Sequence, residues 1–123
     1  MNLIALRNHC LAKPGVTEER PFGPETLVFK VMGKMFALTG DEPQPRSINL
    51  KADPDEALAL RAEFEGVLPG YHMNKKHWNT VLLQADVPEV SICEMIDDSY
   101  FLVVNRLPKA DRAAIVRQLD QKN

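Results

Sequence analysis

A chain of 123 residues carrying 15 Lys and Arg, 17 Asp and Glu and a formal charge of −2 can bury roughly two-thirds of its unfolded surface in one core without disulfides or a structural metal. Its 45% hydrophobic and 26% charged residues exclude a collagen-like repeat or a disordered chain, and no apolar run approaches the ~20 residues that cross a bilayer. Met1 to Arg7 meets a charge too early for a secretory leader, so one soluble, cytoplasmic, monomeric domain over residues 1–123 is the expectation.

Asn2 can cap a first helix running to about Ala12, where Lys13-Pro14-Gly15 stops it. Arg20 to Pro24 reads as an irregular connector. Leu27–Met32 and Met35–Thr39 read as a β-hairpin closed by a two-residue Gly33-Lys34 turn of type II′, a register that pairs Val31 with Phe36 and Phe29 with Leu38 on a core face and leaves Lys30 and Ala37 on the other. After a proline-rich loop at Asp41–Pro45, Ser47–Lys51 alternates with period two, pointing Ile48 and Leu50 inward and Asn49 and Lys51 outward. Asp53-Pro54-Asp55-Glu56 opens a second helix, carrying Ala57, Leu58, Leu60, Arg61 and Phe64 and ending at Gly66. A loop through Leu68-Pro69-Gly70 and Tyr71–Trp78 leads to a strand at Asn79–Leu83. Asp86-Val87-Pro88-Glu89 offers a capping box for a third helix, whose stripe of Ile92 or Cys93, Ile96, Tyr100 and Val103 is apolar. Leu107-Pro108 ends it, and a fourth helix carries Ala114, Ile115 and Leu119. This order predicts an α+β fold with the helices on one face of an antiparallel sheet and an exposed, lysine-bearing face opposite. Cys10 and Cys93 lie far apart in helical segments and read as small buried hydrophobes.

A negative net charge argues against a polyanion partner, but the acids are unevenly placed. Residues 26–40, 43–52 and 66–85 contain no Asp or Glu yet carry Lys30, Lys34, Arg46, Lys51, Lys75 and Lys76. Within Tyr71-His72-Met73-Asn74-Lys75-Lys76-His77-Trp78, lysines suit phosphates, Asn74 can hydrogen-bond, and Tyr71, His77 and Trp78 offer stacking surfaces; Trp78 is equally suited to a buried anchor. His72 and His77 have the wrong spacing for a helical metal pair and no Cys, Asp or Glu near them in sequence, so no metal and no cofactor are expected. Asp97-Asp98 are adjacent helical residues pointing about 100° apart, which disfavours a shared acid–base role. Ser47, Ser91 and Ser99 lack a nucleophile elbow and the glycines form no phosphate loop, so the chain reads as no enzyme.

Several short motifs carry a resemblance: Cys10-Leu11-Ala12-Lys13-Pro14-Gly15 followed by Glu18, Pro21-Phe22-Gly23, Phe29-Lys30-Val31 with Lys34-Met35-Phe36-Ala37, Asn49-Leu50-Lys51, Tyr71 to Trp78, and Asp97 with Ser99-Tyr100. In this order the chain resembles the MmcQ/YjbR-like family of small bacterial proteins over almost its full length. The resemblance implies helices against a curved antiparallel sheet, a shape compared with frataxin and with the double-wing domain of a phage transcription factor. Members are labelled DNA-binding on that likeness of fold. The frataxin comparison would also imply an iron-binding acidic helix, but the first helix here contains no acid.

The expected function is a non-catalytic DNA-binding module in which Lys30, Lys34, Lys51, Lys75 and Lys76 neutralise phosphates across the exposed sheet while Asn74 and His77 make closer contacts. The alternative is a protein- or small-ligand-binding module, with a pocket between the Tyr71–Trp78 loop and the helix of Asp97 and Tyr100, in which Lys75 or His72 pairs with Asp97.

Overall fold

A computed structural model of the protein describes residues 1–40, 45–71 and 73–121. Its elements run α1 (Leu3–Leu11), β1 (Val16–Glu19), β2 (Thr26–Val31), β3 (Lys34–Gly40), β4 (Ser47–Lys51), α2 (Pro54–Glu63), β5 (Val67–Pro69), β6 (Trp78–Leu82), α3 (Glu89–Val104) and α4 (Lys109–Gln121). The strands form one open sheet in the order β1-β2-β3-β4-β6-β5, antiparallel at every pairing. This is the α+β architecture expected. Two short edge strands, β1 in a stretch given no element and β5 across a predicted loop, went unread because four and three residues are too few to show alternation in sequence. The loop predicted at Asp41–Pro45 falls outside the described residues except for Pro45.

All four helices back one face. Leu6 and Cys10 of α1, Ile92, Ile96, Tyr100 and Val103 of α3 and Ile115 of α4 bury against Leu27, Phe29, Val31, Phe36, Ile48, Leu50 and Val81 of the sheet, with Leu60 and Phe64 joining from the α2 side. The local signals act as predicted at α1, where the Asn2 side chain accepts from the Ala5 amide at 2.8 Å. They act otherwise at α3. The Asp86 carboxylate caps no helix of its own but reaches back to the amides of Glu65 and Gly66, at 2.8 and 2.6 Å, so the predicted capping box does not form and α3 starts behind Pro88. Cys93 is only half-buried, whereas Cys10 is sealed in the core, and its burial pushes the thiol up to about 12.

The hairpin differs from its prediction by one residue. Val31 pairs with Lys34 and Lys30 with Met35, so the turn residues are Met32 and Gly33, both at positive φ, 49° and 83°, the signature of a type I′ turn. A bulge beside Phe29 and Lys30 then absorbs Phe36, letting Phe36 and Ala37 both enter the helix-side core. Leu38 is thereby turned to the opposite face, where Val28, Leu38 and Trp78 make a second buried cluster with Met35 and Met73 packed on it. The face away from the helices is therefore apolar at its centre, and of the lysines expected on it Lys51 stands by Trp78 and Lys30 opposite Met35.

Candidate nucleic-acid interface

The β3–β4 ladder runs only from Thr39 and Ile48 to Ala37 and Leu50, while β4 continues its pairing with β6 as far as Lys51 and Trp78. At this end β3 and β4 part. The buried Ser99 hydroxyl of α3 fills the break: it donates to the Phe36 carbonyl and accepts from the Lys51 amide at 2.9 Å. Beyond it lies a groove of about 300 Å³ lined by Gly33, Lys34, Met35, Lys51, Trp78, Val103, Arg106 and Leu107. Three cations, from β3, β4 and the turn just after α3, line it, and among the described residues no acid does. The Lys51 ammonium stands 6.0 Å from the Trp78 ring centroid, near the outer limit of a cation–π contact.

The turn before β6 flanks this end of the sheet. Its Asn74 carbonyl accepts from the amides of His77 and Trp78, at 3.2 and 2.9 Å, and its side-chain oxygen accepts from the Lys76 amide at 2.9 Å. The Arg61 guanidinium of α2 donates to the Asn79 side chain at 2.7 Å and to the Lys75 carbonyl. The turn is thus pinned from beneath, and Lys75 and Lys76 project from it into solvent. His77 is half-buried and its carbonyl accepts from Ala52. His72 lies outside the described residues.

The predicted cations therefore separate into two groups. Lys34 and Lys51 converge, Lys75 and Lys76 are exposed nearby on the β6 turn, and Lys34, Lys75, Lys76 and Arg106 make no ion pair among the described residues. Lys30 stands apart, bonded to Glu19 at 3.4 Å across the β1–β2 edge. Arg106 went unread in the sequence; it lies in the turn just after α3, beyond the cap Asn105, and borders the groove with Val103 and Leu107.

Asp97 does not pair with Lys75, as the alternative reading had it. Its carboxylate is held by Lys13 and by His9 Nε2 at 2.8 Å, where the end of α1 meets α3. Lys13 also lies 5.4 Å over the Tyr100 ring, and the Tyr100 hydroxyl donates to the Pro14 carbonyl at 2.6 Å; burial pushes that phenol up to about 12. Gly15, at φ +76°, completes the turn where a Cβ would fall 2.5 Å from Ile115 Cδ1. These motif residues tie helices to strands. Asp98, one residue on, faces a separate cleft of about 250 Å³ between α2, α3 and the β4–β6 ladder, with Asp53, Glu56, Asn79 and Asn105 around it. Burial, then the neighbouring Asp97 and Glu94, raise its carboxyl above the ordinary range.

An open antiparallel sheet backed on one side by four helices, with a break between two central strands plugged from a helix, defines a class of small α+β proteins. The YjbR family model matches residues 11–102, and the chain belongs to the YjbR family. It is 42% identical over 95 residues to the YbdF protein of Escherichia coli O157:H7, covering 77% of this chain and 78% of that one. To YjbR of Escherichia coli K12 it is 32% identical over 117 residues, covering 95% and 99%. Among solved structures, the Deinococcus radiodurans protein DR2400, a DUF419 domain, superposes with a TM-score of 0.84 at 39% identity, covering 94% of this chain and 88% of that one.

Proposed function

We propose that the chain binds DNA without catalysing a reaction, holding phosphates in the groove between β3, β4 and the end of α3, with Lys75 and Lys76 extending the contact along the β6 turn. One observation carries the reading: Lys34, Lys51 and Arg106 come from β3, β4 and the turn after α3 into one groove that no carboxylate of the described residues lines. Cations so placed repel one another, and an anion relieves that repulsion. Glu18 and Glu19 of β1 are paired with Arg7 and Lys30, while Asp53, Glu56 and Asp98 line the neighbouring cleft, which Lys51 also borders.

The experiment is a fluorescence-anisotropy titration of a labelled DNA duplex at low salt. A Lys34→Glu/Arg106→Glu variant should bind at least tenfold more weakly with an unchanged circular dichroism spectrum, while Lys30→Gln, which removes a cation already matched by Glu19, should bind nearly as the parent does. No binding by the parent protein at low salt would refute the reading, and so would equal binding by parent and charge-reversed proteins.

A further inference from the structure

The sheet face away from the helices carries a second groove, of about 390 Å³, whose rims are Phe22 and Tyr71 and whose floor includes Met35, Leu38, Asn49 and Met73. Phe22 comes from the β1–β2 connection and Tyr71 from the β5–β6 turn, so two distant segments each bring one ring to the same groove. Those residues are 63% and 70% exposed. Rings left that far in water add little to the core, and among the described residues none of the side chains lining the groove is charged.

We infer that this groove takes the bases of a single-stranded DNA whose phosphates lie in the cationic groove beside it. The inference rests on the DNA reading above and narrows it to single strands. Met35 lines both grooves, so they adjoin. Asn49 and Lys51 are alternate residues of β4, which places their side chains on one face roughly 7 Å apart along the strand. A nucleotide extends over such a distance from base to phosphate, so a base beside Asn49 leaves its phosphate near Lys51. The Asn49 side-chain oxygen already accepts from the Thr80 hydroxyl, and its NH2 group is what remains to donate to an acceptor on a base edge. A duplex keeps its base faces stacked against one another and offers phosphates to the outside; a neutral groove between two exposed rings has nothing for that surface. Unstacked bases fit it, because stacking on aromatic side chains beside a basic track is how single strands are held.

The test uses the full chain and two dye-labelled probes of about 12 nucleotides, within the site sizes of such modules: oligothymidylate and a duplex. The parent should bind the single strand more tightly. Phe22→Ala and Tyr71→Ala should each weaken single-strand binding about tenfold and leave duplex binding and the salt slope unchanged, and Tyr71→Phe should restore the lost affinity. If the parent binds DNA in a salt-dependent way but the alanine variants bind oligothymidylate as it does, or lose single strand and duplex equally, the base groove is refuted while the phosphate groove stands. If the parent binds neither probe at low salt, both readings fall together.

Discussion

Where the β3–β4 ladder ends, the Phe36 carbonyl and the Lys51 amide lose each other, and the Ser99 hydroxyl serves both. Buried backbone groups without a partner are costly, so Ser99→Ala should lower stability by about 1–3 kcal/mol; a urea melt should show an earlier midpoint with little change of slope. Glu18 gives a second test. Its hydrogen bond from Arg7, helped by the Arg7 and Arg20 charges and opposed by burial, holds the carboxyl below the ordinary glutamate range. A carboxyl so depressed stabilises the fold above about pH 4.3 and loses that contribution as pH falls through its folded value. Thermal melts should therefore find Glu18→Gln less stable than the parent at neutral pH, with the gap closing below about pH 4. The role of neither residue was legible in the sequence. Ser99 and Glu18 stood out only as parts of motifs, because their partners are 63 and 11 positions away and short-range patterning carries no such distance.

Since each has either a helical stripe or a clean alternation, periodicity located α1, β4 and β6 to within a residue and found α2 to α4 in order, though α2 and α3 end at Glu63 and Val104, short of the expected stops at Gly66 and Leu107. The β2–β3 hairpin was found but misregistered. Gly33 was assigned to the first turn position, yet it occupies the second, with Met32 in the left-handed region ahead of it. A residue with a Cβ is held there at a cost, whereas Asn tolerates it, and Met32 is substantially exposed. Met32→Asn should therefore raise stability by about 0.5–1 kcal/mol, read as a later denaturation midpoint. The one-residue slip mattered for function, because it moved Leu38 across the sheet and gave the expected lysine face an apolar centre with a groove.

At the scale of the molecule, an acidic protein gathers cations at one end of its sheet. On the proposed reading, Lys34, Lys51 and Arg106 in the groove, with Lys75 and Lys76 on the neighbouring turn, would make about five phosphate contacts. For duplex DNA this sets a fall of some four to five units in log affinity per tenfold rise in salt, measurable by repeating the anisotropy titration across a salt series. The acid-free stretches of sequence anticipated this end of the molecule for Lys34, Lys51, Lys75 and Lys76. They could not anticipate Arg106, whose neighbours in sequence give no hint that the end of α3 meets a break in the sheet.

The two outermost strands have a consequence of their own. β5 spans three residues and finishes on Pro69, which has no N–H to offer, and β1 spans four and carries Glu18 and Glu19. Short, charged or proline-ended borders are poor templates for a foreign strand, so the sheet cannot readily be lengthened by a neighbouring chain, and the broad unhelixed side stays open to a ligand without inviting stacking of the protein into fibrils.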